Sequence, residues 1–482
     1  MKLSTLLLFS ALVFFLSFHY YLSNASESVD PKISLKEEWM GIYSGEDKIG
    51  YSHTLIEPMN QNTKVSEETK LRMNILGSDQ DIEIKSNYIL NKYDIQSFDF
   101  SMKAGLVELQ ADGKREGNEL KVQISSASGK SEISLPLNND EPLVPSMIFK
   151  WLANKNPKVG NRYNVSLFDP TLALTGGVAH SSKATLTVEG EEELKIPLGS
   201  FKTYRIKMVF MGSESTSWIT HDGEVIKEVS PPGLVSLRET RDRARGGSLS
   251  SLDIVQKTAI SSNVLLDNPR TLKLLRAKID GIDSTQGLDL NGGSGQSFTN
   301  GIIEVRQPDI SGFTPYSLPY SGNEYNIYIK ANSLIQSNDP RIVEKSEEIL
   351  KGERNSLRAA QEINRWVYNN LEKVPTVSIP NALDVLKTRK GDCNEHATLF
   401  AALARAAGIP TKIAFGIVYL DGKFYYHAWN EVFVGQWVAV DPTFGQFPAD
   451  ASHIRFLEGD LSRGSEIIRL VGKIRIEIRS AS

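Results

Sequence analysis

From about Trp39 to Ile260 the apolar residues recur at every second position, and this constrains the fold more than any other feature. Leu71, Met73 and Ile75 alternate with polar residues, as do Leu120, Val122 and Ile124, then Ile133, Leu135 and Leu137. Ala184, Leu186 and Val188 repeat the pattern, and so do Tyr204, Ile206, Met208 and Phe210. Successive side chains of a strand point to opposite faces, so a period of two is the signature of half-buried antiparallel strands. Turn dipeptides such as Asp112-Gly113 and Asp222-Gly223 separate the runs. The expectation is a large antiparallel sheet, sandwich or open barrel over residues 30–260. It holds no cluster of His, Asp and Glu that reads as a site, so its expected role is structural or in binding an envelope partner.

The N-terminus is different. Met1-Lys2 precedes an apolar stretch from Leu3 to Leu22, and Ser23-Asn24-Ala25 offers a small-x-small cleavage site. Residues 1–25 therefore read as a secretory signal or, because the stretch is long enough to span a bilayer, as an uncleaved membrane anchor. Either way the rest of the chain is expected outside the cytoplasm, periplasmic or at the cell surface.

With 54 basic and 58 acidic residues the formal charge is −4, which argues against a nucleic-acid binder. Cys393 is the single cysteine. That excludes an internal disulfide, a four-cysteine zinc site and a cysteine-ligated iron–sulfur cluster. The length of 482 residues suggests roughly three domains.

Residues 261–335 read as a transitional or linker region, with Asn291-Gly292-Gly293-Ser294-Gly295 its most linker-like stretch. At Asn338 helical spacing begins. Asn338-Asp339-Pro340 supplies a cap and a first-turn proline, and apolar residues then recur through Ile349-Leu350 and from Leu357 to Val367. Strands return after Pro410, and Lys473 to Arg479 reads as a closing strand. Helices followed by antiparallel strands make residues 336–482 an α+β domain.

Gly391-Asp392-Cys393-Asn394-Glu395-His396-Ala397 is the most informative segment. Asp392 with Glu395 three residues later forms a capping box, which puts Cys393 in the first turn of a helix that Gly408 stops. The positive end of the helix dipole favours the thiolate, the nucleophilic form. Its base and orienting group are expected to be His427 and Asp441, on two strands joined at Gly435-Gln436. A plain two-residue loop there would pair Val434 with Trp437 and put His427 and Asp441 on opposite faces. They can cooperate only if the register shifts to set Asp441 opposite Trp429, and that shift is predicted. His396, one helical turn after Cys393, has the spacing of a metal ligand, but too few soft ligands exist, so no metal and no cofactor is expected. His453 could rival His427 as base but lacks its strand-pair context.

Gly391-Asp392-Cys393, His427-Ala428-Trp429-Asn430-Glu431 and Trp437-Val438-Ala439-Val440-Asp441-Pro442-Thr443 resemble the core of the transglutaminase-like superfamily, as does Arg405-Ala406-Ala407-Gly408-Ile409-Pro410. The resemblance implies a papain-like α+β fold and a triad of Cys393 as nucleophile, His427 as base and acid, and Asp441 as orienter, acting on peptide or side-chain amides. Trp429, Asn394 and His396 are the candidate substrate-binding residues. Trp366 and Asn381 are candidates for the oxyanion donor. Hydrolysis, as in a protease or amidase, is favoured; a cross-linking acyltransferase and a non-catalytic envelope scaffold are the rivals.

Overall fold

The computed structural model describes residues 35–75, 77–105, 107–137, 142–174, 183–282, 284–376 and 378–482. The expected signal or anchor, residues 1–25, lies outside the described residues. Among the described residues no helix is long and apolar enough to cross a membrane. The chain divides at Ile254/Val255 into two compact units, fewer than length alone suggests. Strand makes up 48% and helix 20% of the chain, so the molecule is β-rich.

The N-terminal unit is built on one sheet. Eight consecutive strands, from Lys36–Ser44 to Gly129–Pro136, form an antiparallel meander. Six more, from Arg162–Ser166 to Leu234–Glu239, form a second. The two join where the first strand pairs with the last, with Trp39 opposite Glu239 and Ser44 opposite Leu234. Strand Asn62–Ile75 alternates buried and half-buried positions along its whole length. Its buried face is not uniformly apolar. Glu38, Thr54, Glu67 and Ser86 stand opposite one another across four adjacent strands, all buried. Burial pushes the carboxyls of Glu38 and Glu67 up to about 8.

In the C-terminal unit four helices precede a mixed-length antiparallel sheet. The helices are α1 (Pro340–Leu350), α2 (Ser356–Asn370), α3 (Ala382–Thr388) and α4 (Cys393–Ala406). The strands are β1 (Thr411–Leu420), β2 (Lys423–Phe433), β3 (Trp437–Val440) and β4 (Ile454–Gly459). β1 lies between β2 and β4, and β3 pairs with β2. Helix α4 packs against α1, α2 and α3 on one side and β1 and β2 on the other. Every residue from Cys393 to Arg405 is buried, so α4 is a central helix enclosed all round and not one with a single apolar stripe.

Residues 261–335 are not a linker. Strands Leu274–Asp280, Gln296–Thr299 and Ile302–Arg306 form a second sheet with the C-terminal strand Arg475–Ala481. The glycine-rich stretch 291–295 wraps a buried ion pair. Arg455 Nη1 lies 2.6 Å from Glu431 Oε1, with both side chains 2% exposed. The Arg455 guanidinium also donates to the carbonyls of Asn291 and Gly292. A Cβ on Gly293 would stand 2.1 Å from Arg455 Nη1. Glycine is there for close approach, which composition cannot distinguish from flexibility.

Candidate active site

Cys393 opens α4. Asp392 caps the helix by accepting the Asn394 N–H at 3.0 Å, and the Glu395 carboxylate accepts the Asp392 N–H at 2.8 Å. This is the expected capping box. Gly391 permits it, because a Cβ there would meet Glu395 Cβ at 2.2 Å. Cys393 is 1% exposed, and its Sγ accepts the backbone N–H of Ala428 at 3.1 Å. The residue beside His427 thus holds the thiol sulfur against β2.

On β2 and β3 the register is Phe433 opposite Trp437, Val432 opposite Val438 and Asn430 opposite Val440. The connection is therefore three residues, Val434-Gly435-Gln436, and the next position in this register sets Asp441 opposite Trp429. His427 and Asp441 share a face, as the predicted shift requires. His427 Nε2 lies 2.7 Å from Asp441 Oδ2. The other carboxylate oxygen accepts the backbone N–H groups of Thr443 (2.7 Å) and Phe444 (3.0 Å), which fixes its rotation. Among the described residues Nδ1 of His427 has no hydrogen-bond partner.

Burial sets the electrostatics. It opposes charge on Asp441, but the His427 and His453 rings outweigh it and hold the carboxyl far below the usual range, so Asp441 is ionised. Burial lowers the His427 pKa, with Asp441 working in the other direction. A neutral His427 with hydrogen on Nε2 and a lone pair on Nδ1 is the form suited to accept a thiol proton.

A fourth side chain shares the site. His453, read above as a rival base, donates from Nε2 to the same Asp441 Oδ2 at 3.1 Å. His427, Asp441 and His453 each offer one ligand atom within 4.8 Å of the others. Those atoms are spent on one another, and both His453 nitrogens face acceptors. The donor set suits a hydrogen-bonded network and not metal ligation.

The candidate substrate-binding residues are as buried as the triad itself. Trp429, Asn394 and His396 are 1%, 1% and 0% exposed. Trp429 packs edge-on against His453 with ring centres 5.2 Å apart. With His453, Glu431 and Gln296 it lines a cavity of about 20 Å³, room for a single water. His396 Nδ1 donates to the Asp392 carbonyl at 2.6 Å, and burial pushes its pKa down to about 4. Asn394 lies over its own cap, 3.4 Å from Asp392 Oδ1. Trp429 Nε1, Asn394 Oδ1 and His396 Nε2 have no hydrogen-bond partner among the described residues. The two oxyanion candidates make contacts of their own. Asn381 caps α3 by accepting the N–H groups of Leu383 and Asp384, and the Arg389 guanidinium covers the Trp366 ring at 4.4 Å. In the His427–Glu431 block, Asn430 ties the layers together by donating to the Ala397 carbonyl of α4 at 3.0 Å.

Residues 344–442 match the family model of the transglutaminase-like superfamily. An uncharacterized protein of Haemophilus influenzae is 34% identical over 127 residues, 24% of this chain. The chain spans about a third (34%) of that relative's length. Among solved structures, a candidate cysteine protease from Cytophaga hutchinsonii is 16% identical, covering 44% of this chain and 83% of that one, at a TM-score of 0.28. A β-barrel-like protein from Brucella abortus is 10% identical, covering 42% and 94%, at 0.31. A candidate protease from Parabacteroides distasonis is 11% identical, covering 72% and 68%, at 0.21. The family match takes in Cys393 on α4, His427 on β2 and Asp441 just past β3, and this chain therefore carries a domain of the transglutaminase-like superfamily at residues 344–442.

Proposed function

We propose that this chain is a thiol hydrolase that cleaves peptide or side-chain amides through Cys393, His427 and Asp441, on a papain-like pairing of helix and sheet. The observation that carries the reading is the 2.7 Å contact between His427 Nε2 and Asp441 Oδ2 with Nδ1 of the same ring unspent. His427 Nδ1 takes the Cys393 proton, and the thiolate attacks the amide carbon. The positive end of α4 faces the developing oxyanion. The C–N bond breaks as His427 returns its proton to the leaving amine, giving a thioester. Water, deprotonated by the same Nδ1, releases the acid and restores the thiol. Asp441 stays ionised throughout and fixes the ring. The lysine and apolar stretch of residues 1–25 support action outside the cytoplasm.

The test is incubation of the full chain with a labelled peptide pool and a fluorescent primary amine, with products read by mass spectrometry. Hydrolysed peptides that vanish with Cys393→Ala are expected. Cys393-dependent attachment of the amine would instead make the enzyme a cross-linking transferase. No Cys393-dependent product of either kind would contradict the reading.

A further inference from the structure

Two histidines donate to Asp441 Oδ2, His427 at 2.7 Å and His453 at 3.1 Å. An ionised carboxylate only accepts, so each Nε2 carries hydrogen. At the far side of the His453 ring, Nδ1 lies 3.0 Å from the backbone carbonyl of Asp450. A carbonyl also only accepts, so Nδ1 carries hydrogen too. Hydrogen-bond chemistry alone makes His453 an imidazolium, whereas no acceptor among the described residues asks His427 Nδ1 to carry hydrogen.

The charge is matched from behind. Asp450 Oδ1 lies 3.5 Å from His453 Nδ1, and Asp450 Oδ2 lies 2.8 Å from the Arg270 guanidinium. Arg270, Asp450, His453 and Asp441 alternate in sign and sum to zero. Asp441 and Asp450 are 0% exposed and His453 2%. Loss of the His453 proton would strand an uncompensated negative charge in the interior, which is costly.

We propose that His453 is a positioning residue of this site: a buried imidazolium that shares Asp441 with His427 and so keeps His427 neutral and able to act as base. The inference rests on the triad reading above. With His453 charged, part of the Asp441 field is already answered. Without it, Asp441 acts on His427 alone, the affinity of His427 for a proton rises, and the ring is protonated before it can take one from the thiol. The groups facing His453 are Asp441, Asp450 and the rings of His427, Trp429 and Phe444. Those facing His427 are Asp441, His453, the Trp429 and Phe444 rings and the segment holding Cys393 Sγ. Arg270 lies over Phe444 at 4.6 Å, and Lys373 and His396 act on Asp441 and His427 from the helix side.

The test is ring-nitrogen NMR of the full chain labelled with ¹⁵N-histidine, titrated in wild type, His453→Gln and Asp450→Asn. In wild type at neutral pH, the ring missing from the His453→Gln spectrum should carry hydrogen on both nitrogens. His453→Gln should raise the pH at which His427 titrates by about one unit, and Asp450→Asn should move it the same way by less. A singly protonated His453, or a His427 midpoint unchanged by His453→Gln, overturns the inference. If His453→Gln does not fold, Asp450→Asn decides alone, and an unchanged midpoint there overturns it. Iodoacetamide labelling of the same samples separates the two readings. A coupled pair of histidines beside an inert Cys393 would sink the triad and spare the His453 assignment. A reactive, His427-dependent thiol with an indifferent His427 midpoint would do the reverse.

Discussion

His427 Nε2 lies 2.7 Å from Asp441 Oδ2, and both side chains are fully buried. The contact exists because the connection between β2 and β3 has three residues. Phe433 opposes Trp437, the register carries Asp441 to the position across from Trp429, and two residues fourteen apart in sequence come to one face of the sheet. A slip that paired Val434 with Trp437 would put them on opposite faces.

Insertion of one alanine between Val440 and Asp441 keeps the β2–β3 pairs as they are and is expected to leave the fold and disable the site. The extra residue moves Asp441 across from Ala428, on the face away from His427. The rate of Cys393 alkylation at neutral pH should fall about tenfold or more, with far-ultraviolet circular dichroism unchanged. A wild-type rate would mean that the pair does not depend on this register.

Asp441→Asn keeps an oxygen for the Thr443 and Phe444 N–H groups but removes the charge and the acceptor that select the His427 tautomer. Turnover should drop by about 10³–10⁴-fold, measured as kcat on whichever peptide the product screen identifies. A loss of less than about tenfold would place the orienting role elsewhere.

The linked histidine gives a pH signature in stability. The His453 pKa is pushed up to about 9: burial opposes its charge, but Asp450 and Asp441 outweigh it. An unfolded histidine titrates near about 6.5. A group whose folded pKa is raised stabilises fully below the unfolded value and loses that contribution as pH rises through the folded one. Thermal stability should decline between about pH 6.5 and 9 by an amount on the order of a few kcal/mol, and His453→Gln should flatten that decline. A wild-type slope in the variant would assign the decline to another group.

Gly293→Ala should be costly although it lies in a stretch that reads as a flexible linker. Its φ of +67° is strained for alanine, and the new Cβ would stand 2.1 Å from Arg455 Nη1 and 2.6 Å from Glu431 Oε2. Disturbing a buried ion pair costs about 3–5 kcal/mol when one partner is lost, so a loss of about 2 kcal/mol or more is expected in chemical denaturation. A neutral effect would show that the loop can give way.

What the sequence reveals follows from how local each feature is. The capping box at Asp392–Glu395 is local, since residues three apart in a helix must meet, and it is present. The register of β2 and β3 is readable because the side-chain period of two forces a choice. His453 is different: it reaches Asp441 from the segment before β4, and only the tertiary fold brings Asp450 and Arg270 behind it. Glu38 and Glu67 were hidden for a related reason. Leu71, Met73 and Ile75 mark the inner face of their strand, but that face continues through Thr63, Glu67 and Thr69, where polarity conceals the alternation. The enclosure of Trp429, Asn394 and His396 likewise depends on what packs over them.

The most direct measurement is the pH dependence of Cys393 alkylation by iodoacetamide in the folded full chain, compared with His427→Ala. No other thiol is present to interfere. Reaction of the native protein with a midpoint well below the free-cysteine value of about 8.5, raised by the substitution, is the predicted result. A thiol that reacts only after denaturation, or whose profile is indifferent to His427, would contradict a working Cys393–His427 pair.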